Sequence, residues 1–380
     1  MSDMGSHTVA LRIALSEFAL TDALDGHLRR SAGRLERLER AERAEGLERA
    51  ERAERAERAD RAEGAEPPTT EAPSGPPPAA GAAWASAELA RALIAQERGD
   101  HQTVSRIAER ITALRGRYEP WPLILLAEGG ALRAAHGPVT ALAHLRTAIA
   151  HAGGPRRLAH PWREYLAVFA ASLDTAVGNL ASAELQLTSS DLDPAARRLE
   201  RARLALFGSN DVEALLLAEG VGDPGATKRQ RVDRRLLVAT AAWSCGRTEE
   251  AFTSLHDAIA LIERYGLTSM LFGVPHELLA DLAVAARDAR VCDAVALVDA
   301  VPEPARAWRY ERLTEMELRT LEAIHRHGSA GGAAAELFVT AGTVKKHLAA
   351  VYRKLRVRDR DAAVIRASDM GLIDVAHPRG

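Results

Sequence analysis

The chain has 380 residues, 47% of them apolar and only 4% aromatic, with a net charge of −2. That is enough apolar material for a sizeable core, packed mainly by alanine and leucine, and it favours close-packed helices over sheets. A near-neutral chain is no general nucleic-acid coat, so any DNA-binding surface must be local. Met1 to Ser16 has no basic stretch followed by an apolar one, and no run of about 18 apolar residues occurs anywhere; a soluble, cytoplasmic protein with no membrane contact is expected. Cys245 and Cys292 lie far apart and read as two buried apolar thiols, and the thirteen histidines show no metal-ligand spacing. No catalytic constellation stands out, so neither an enzyme nor a cofactor or metal site is expected.

Residues 1–35 form a first helical segment, with apolar spacing at Leu11, Leu15, Phe18, Leu24 and Leu28. Residues 36–83 combine low complexity with a linker. A Glu-Arg-Ala triplet runs from about Glu36 to Glu66, and a period of three against 3.6 residues per turn rotates each alanine about 60° from the last. No fixed apolar face can form, although pairs such as Glu51 with Arg55 and Glu54 with Arg58 lend a helix slight support. A solvated marginal helix or a disordered tether is expected there. Pro67 to Gly81, with six prolines, reads as the linker proper.

Residues 84–301 carry a strongly helical pattern. Glycines recur at Gly99, Gly137, Gly178, Gly208 and Gly246, at spacings of 38, 41, 30 and 38, which is the signature of stacked helix pairs. The clearest unit is Gly246-Arg247-Thr248-Glu249-Glu250-Ala251, followed by Leu255 and Ala258. Weaker copies are Thr140-Ala141 with Leu145 and Ala148, and Ser182-Ala183 with Leu187. These units resemble the tetratricopeptide repeat, in which small residues let paired helices approach closely; an irregular helical bundle is the other reading. Gly220-Val221-Gly222-Asp223-Pro224-Gly225 spells a dinucleotide-binding pattern, but a helical stretch precedes it and Pro224 interrupts it, so a loop is expected. Pro302 and Pro304, with the segment Glu303 to Tyr310, mark the next boundary.

Residues 306–373 form the last domain. Thr314 and Glu317 make a capping box, and Leu318, Leu321 and Ile324 line one helix face. After a break at His327-Gly328-Ser329, a short helix runs through Ala333 to Leu337. Thr340 caps a third helix to about Leu355, and Asp359 caps a fourth that ends at Gly371. On the third, Val344, Leu348, Val351 and Leu355 share one side and must face the core. The other side carries Gly342, Lys346, Ala349 and Arg353, flanked by Lys345 and Arg356. Between Ala341 and Arg366 there are eight basic residues and two acids, an excess of six positive charges and the footprint of phosphate contact.

Leu313-Thr314-Glu315-Met316-Glu317-Leu318, Thr343-Val344-Lys345-Lys346-His347-Leu348, Val351-Tyr352-Arg353-Lys354-Leu355, and Val357-Arg358 with Arg360 and Ala362-Ala363-Val364 together resemble the LuxR-type helix-turn-helix. The resemblance implies a four-helix domain whose third helix enters the major groove and whose last often dimerises; with the tetratricopeptide-like helical repeats before it, an all-α chain is expected. It also implies a transcriptional regulator of the LuxR family, bound as a homodimer to double-stranded DNA. By position, Lys345, Lys346 and Ala349 would meet bases or nearby phosphates, and Thr343, Arg353 and Lys354 mostly the backbone; Arg356 belongs to the same DNA-binding set. His347 matches a common family histidine at the helix shoulder. The repeats would take a protein, peptide or small-molecule effector. Arg234 to Glu263, Tyr265-Gly266-Leu267 and Pro275-His276-Glu277-Leu278-Leu279 resemble the segment before the DNA-binding domain in large ATP-binding LuxR regulators, here without the ATPase domain or its phosphate loop. One departure opens an alternative. Where the family reads Ser-Asn-Lys-Glu-Ile-Ala, this chain has Ser329-Ala330-Gly331-Gly332-Ala333-Ala334, after a turn one residue short. Two helical glycines cost about 1 kcal/mol each, and the missing isoleucine about 2. The alternative is a helical-repeat interaction scaffold with a degenerate, non-DNA-binding helix-turn-helix.

Overall fold

A computed structural model describes residues 14–63, 78–113, 119–160, 162–188, 192–222, 226–311, 313–370 and 372–373. Among them every regular element is helical and there is no strand. No helix among them is long and apolar enough to cross a membrane, and no group of acidic, histidine or cysteine side chains could hold a metal. The chain falls into two compact units, Met1–Glu128 and Gly129–Gly380, and each is described by itself.

In the first unit, residues 14–24 are helical and are followed by α1 (Leu28–Glu63), α2 (Pro78–Glu97) and α3 (His101–Thr112). The triplet segment thus takes the helical alternative. Its N-terminal part is anchored by buried Leu28, Ser31, Leu35 and Leu38, and Arg91 of α2 reaches Glu39 at 3.0 Å. Beyond Arg40 that anchorage stops: Arg43, Ala44, Leu47 and Glu51 are exposed. Pro78 opens α2, so the helix starts inside the expected linker; proline fits a first turn, where its missing N–H has no partner to lose. Pro67, Leu11 and the side chains of Arg55 and Arg58 lie outside the described residues.

In the second unit α4 (Ile124–His136), which spans the division, leads into α5 (Pro138–His151), α6 (Trp162–Val177), α7 (Leu180–Leu187), α8 (Pro194–Phe207), α9 (Asp211–Glu219), α10 (Lys228–Ser244), α11 (Thr248–Tyr265), α12 (His276–Asp288) and α13 (Val295–Asp299). Each recurring glycine sits between two consecutive helices. Gly99, Gly137, Gly178 and Gly246 hold positive φ, and at the fourth turn that conformation passes from Gly208 to Ser209. Helices α2 and α3, α6 and α7, α8 and α9, and α10 and α11 pack as pairs. Ala251, Leu255 and Ala258 are fully buried, as are Ala141, Leu145 and Ala183 in the weaker copies. The glycine-rich loop follows α9, with no strand before it; Asp223 to Gly225 lie outside the described residues. Cys245 and Cys292 are free and half-buried rather than fully buried. A buried polar knot crosses this region: Arg203 donates to Asp233 at 2.6 Å, to Glu200 at 3.0 Å and to the carbonyl of Gly273. It ties α8 and α10 to the 3-10 turn Thr268–Gly273.

The C-terminal domain comprises α14 (Glu315–His327), α15 (Ala330–Leu337), α16 (Ala341–Leu355) and α17 (Arg360–Asp369). The expected boundary segment is held by specific contacts. Tyr310, 5% exposed, donates its N–H to Phe207 O at 3.1 Å and its hydroxyl to Ala176 O at 3.3 Å, and it accepts from Ser209 Oγ at 2.8 Å. A Cβ on Gly178 would sit 2.6 Å from the Tyr310 ring, so only glycine admits this approach. Arg309 pairs with Asp211 at 2.6 Å, and Arg366 of α17 bonds Val177 O and the Tyr310 hydroxyl. Burial pushes the Tyr310 phenol above its ordinary pKa, partly offset by nearby Arg366.

Candidate nucleic-acid interface

Three helix starts in this domain are fixed by the expected side chains. Thr314 accepts from Glu317 N–H while Glu317 accepts from Thr314 N–H at 2.7 Å, completing the capping box. Thr340 accepts from Thr343 N–H at 3.1 Å, and Asp359 from Ala362 N–H at 2.8 Å. The fourth helix closes at Asp369, with Gly371 outside the described residues.

The apolar stripe of α16 serves two clusters. Val344 and Leu348 pack with Ile324, Ala333, Ala334 and Leu337; Val351 and Leu355 pack with Leu321, Ala363, Val364 and Ala367. With that side occupied, the opposite side has one orientation left. Gly342, Lys345, Lys346, Ala349, Arg353 and Arg356 are all exposed, and no acid lies among them. Lys345 and Lys346 have no ion-pair partner among the described residues. Arg353 stands 3.9 Å from Glu311 with both side chains mostly in water, a contact worth little. The predicted residues are thus brought to one face, with three qualifications. Thr343 is half-buried, its hydroxyl 2.9 Å from that of Thr340. Arg356, in left-handed conformation at the helix end, lays its guanidinium 5.0 Å from the Trp308 ring. Lys354 is turned away from the outer face. Its ammonium is 2.7 Å from Glu317, and the two side chains are 13% and 8% exposed. Burial alone would raise the Glu317 carboxyl, but hydrogen bonds from Lys354 and Thr314 outweigh it and hold the group below its usual pKa. Arg360 and Arg366 also serve the fold: the first bonds Gly328 O at 3.0 Å, the second anchors α17. The excess of positive charge therefore divides into structural cations and an outward set, to which exposed Arg358 belongs. His347 is half-buried, in keeping with a shoulder position.

The supporting helix corrects an expectation. It starts at Ala330, capped by Ser329, which accepts from Gly332 N–H at 3.2 Å; Gly331 and Gly332 thus occupy the first turn rather than the helix interior. A Cβ on Gly332 would come within 2.8 Å of His327 Cβ, whereas Gly331 faces open space. Ala333, in the place of the family's isoleucine, is fully buried, so close approach takes over the role of side-chain bulk. Glu336 accepts from Arg326 and lies 2.6 Å from His327 Nε2, binding α15 to α14.

Comparison with known proteins agrees with this geometry over one part of the chain. Residues 311–367 match the model of the family described as GerE, bacterial regulatory proteins, luxR family. The C-terminal domain is therefore a LuxR-family DNA-binding domain. The full chain finds no match among curated proteins or among solved structures.

Proposed function

We propose that the protein is a transcriptional regulator that binds operator DNA through α16, as a homodimer on a two-fold site, in the cytoplasm. Half-sites would then lie about one helical turn, roughly 34–36 Å, apart. The observation that carries the reading is the acid-free outward face of Gly342, Lys345, Lys346, Ala349 and Arg353, fixed in place by the buried stripe behind it. Small residues beside cations suit a helix that must enter a groove about 12 Å wide. Residues 84–301 serve as a tetratricopeptide-like region that receives an effector. A groove of about 520 Å³ between α9, α10 and α11, lined by Glu219, Arg234, Arg235, Glu249 and Glu250, is of a size that small ligands fill. The scaffold alternative took its motive from the two glycines of α15; their first-turn placement and the fit of Gly332 against His327 favour a working helix-turn-helix.

The test is a salt titration of duplex binding by the full chain. Each phosphate contact contributes about 0.9 to the slope of log affinity against log salt. Replacing Lys345 and Lys346 together by alanine should lower the slope by about two such contacts and weaken binding at every salt concentration. Unchanged affinity and slope would remove α16 as the DNA-reading element.

A further inference from the structure

Phe338, in the turn between α15 and α16, is 95% exposed. Its φ and ψ are 55° and 40°, a left-handed conformation that bulky side chains adopt at a cost and that glycine or asparagine takes easily. Its neighbour explains the geometry but not the residue. Val339 donates its N–H to Ala334 O at 3.1 Å and packs inward against the Ile324 cluster, which closes the turn and sends residue 338 outward. A glycine would satisfy that backbone with less strain and without an aromatic ring in water. The free protein thus carries two costs at one position, and neither buys contact within the domain.

We propose that Phe338 is a DNA-contact residue, its ring packing on the apolar edge of the duplex at the rim of the groove that α16 enters. The inference rests on the DNA-binding reading above. Thr340, two residues on, caps α16, and Gly342, Lys345 and Lys346 follow on the outward face. In helix-turn-helix docking the N-terminal residues of the recognition helix meet base edges, so the residue just before its cap comes to the groove rim. Deoxyribose carbons and thymine methyl groups are the apolar surface there. Charge around the turn agrees with a polyanionic partner. Its nearest acid in the sequence, Glu336, is engaged with Arg326 and His327, and the next charges on α16 are the two lysines.

The experiment uses the full chain, a duplex that the native chain selects from a random-sequence library, and the variants Phe338→Gly and Phe338→Tyr. For Phe338→Gly the thermal midpoint should stay or rise, because the left-handed strain is relieved. Affinity for the selected duplex should fall about tenfold, with the salt slope unchanged because no phosphate charge is lost. Phe338→Tyr keeps the ring and should keep native affinity. Native affinity in Phe338→Gly would overturn the inference and leave the ring to some other partner, the regulator reading standing. A lowered midpoint in Phe338→Gly would also overturn it, by giving the ring a folding role. If the native chain selects no duplex, both readings fall together.

Discussion

Helices α1 and α16 are both dense in arginine or lysine, yet only one of them builds a positive surface. Along α1 from Arg37 to Arg58 each arginine follows a glutamate, and the triplet period walks the alanines around the axis, so neither an apolar side nor a charged side persists in that stretch of sequence. Four buried positions hold its N-terminal part, and beyond Glu42 the described side chains are exposed. Along α16 four aliphatic residues recur at helical spacing and are buried, which determines where every other residue points. Charge composition alone does not make a binding face; it needs an apolar stripe to orient it.

That contrast can be broken first at the stripe. Val351→Asp puts a carboxylate into a fully buried site with no partner and should cost upwards of about 4 kcal/mol, enough to unfold the C-terminal domain in a urea titration. The counterpart in α1, Leu47→Ala, should change stability by less than about 0.5 kcal/mol, since Leu47 is 67% exposed. A second test separates structural from outward cations. Lys354→Met strips the partner from a nearly buried carboxylate and should cost roughly 1–3 kcal/mol while leaving the DNA salt slope as it was. The penalty should depend on pH. The folded Glu317 carboxyl titrates below its unfolded value of about 4.3, so the native pair contributes fully above that pH and loses its contribution as the pH falls through the folded value. The gap between native and Lys354→Met should therefore close in acid, as calorimetry at pH 7 and below pH 4 would reveal. The smallest and most discriminating pair is in α15. Gly331→Ala should stabilise by about 0.5–1 kcal/mol, because a methyl there meets open space. Gly332→Ala should instead lower the melting temperature, because its methyl meets His327 Cβ.

What could be read from the sequence here was local. Thr314, Thr340 and Asp359 act on amides three residues away, and the stripe from Val344 to Leu355 is a matter of helical period, so caps and outward face follow from short windows. The recurring glycines likewise marked turns between helices. The roles that escaped reading depend on distant partners. Lys354 looked like one more cation of the basic cluster because its acid lies 37 residues upstream. The contacts that hold the boundary segment are not legible in the sequence, because the groups that hold Tyr310 and Arg366 lie 134 and 189 residues away. Gly331 and Gly332 look equivalent in a row of small residues; only the position of His327 separates them.

The anchorage of Tyr310 has a mechanical consequence. Its phenol and backbone, together with the Arg366 guanidinium, hook onto carbonyls at the ends of α6 and α8, so the C-terminal domain is tied to those helix ends at three points. Any movement of the Val177–Gly178 corner would therefore pull on α17 through Arg366, which makes the end of one helix pair a point of leverage on the carboxy-terminal body.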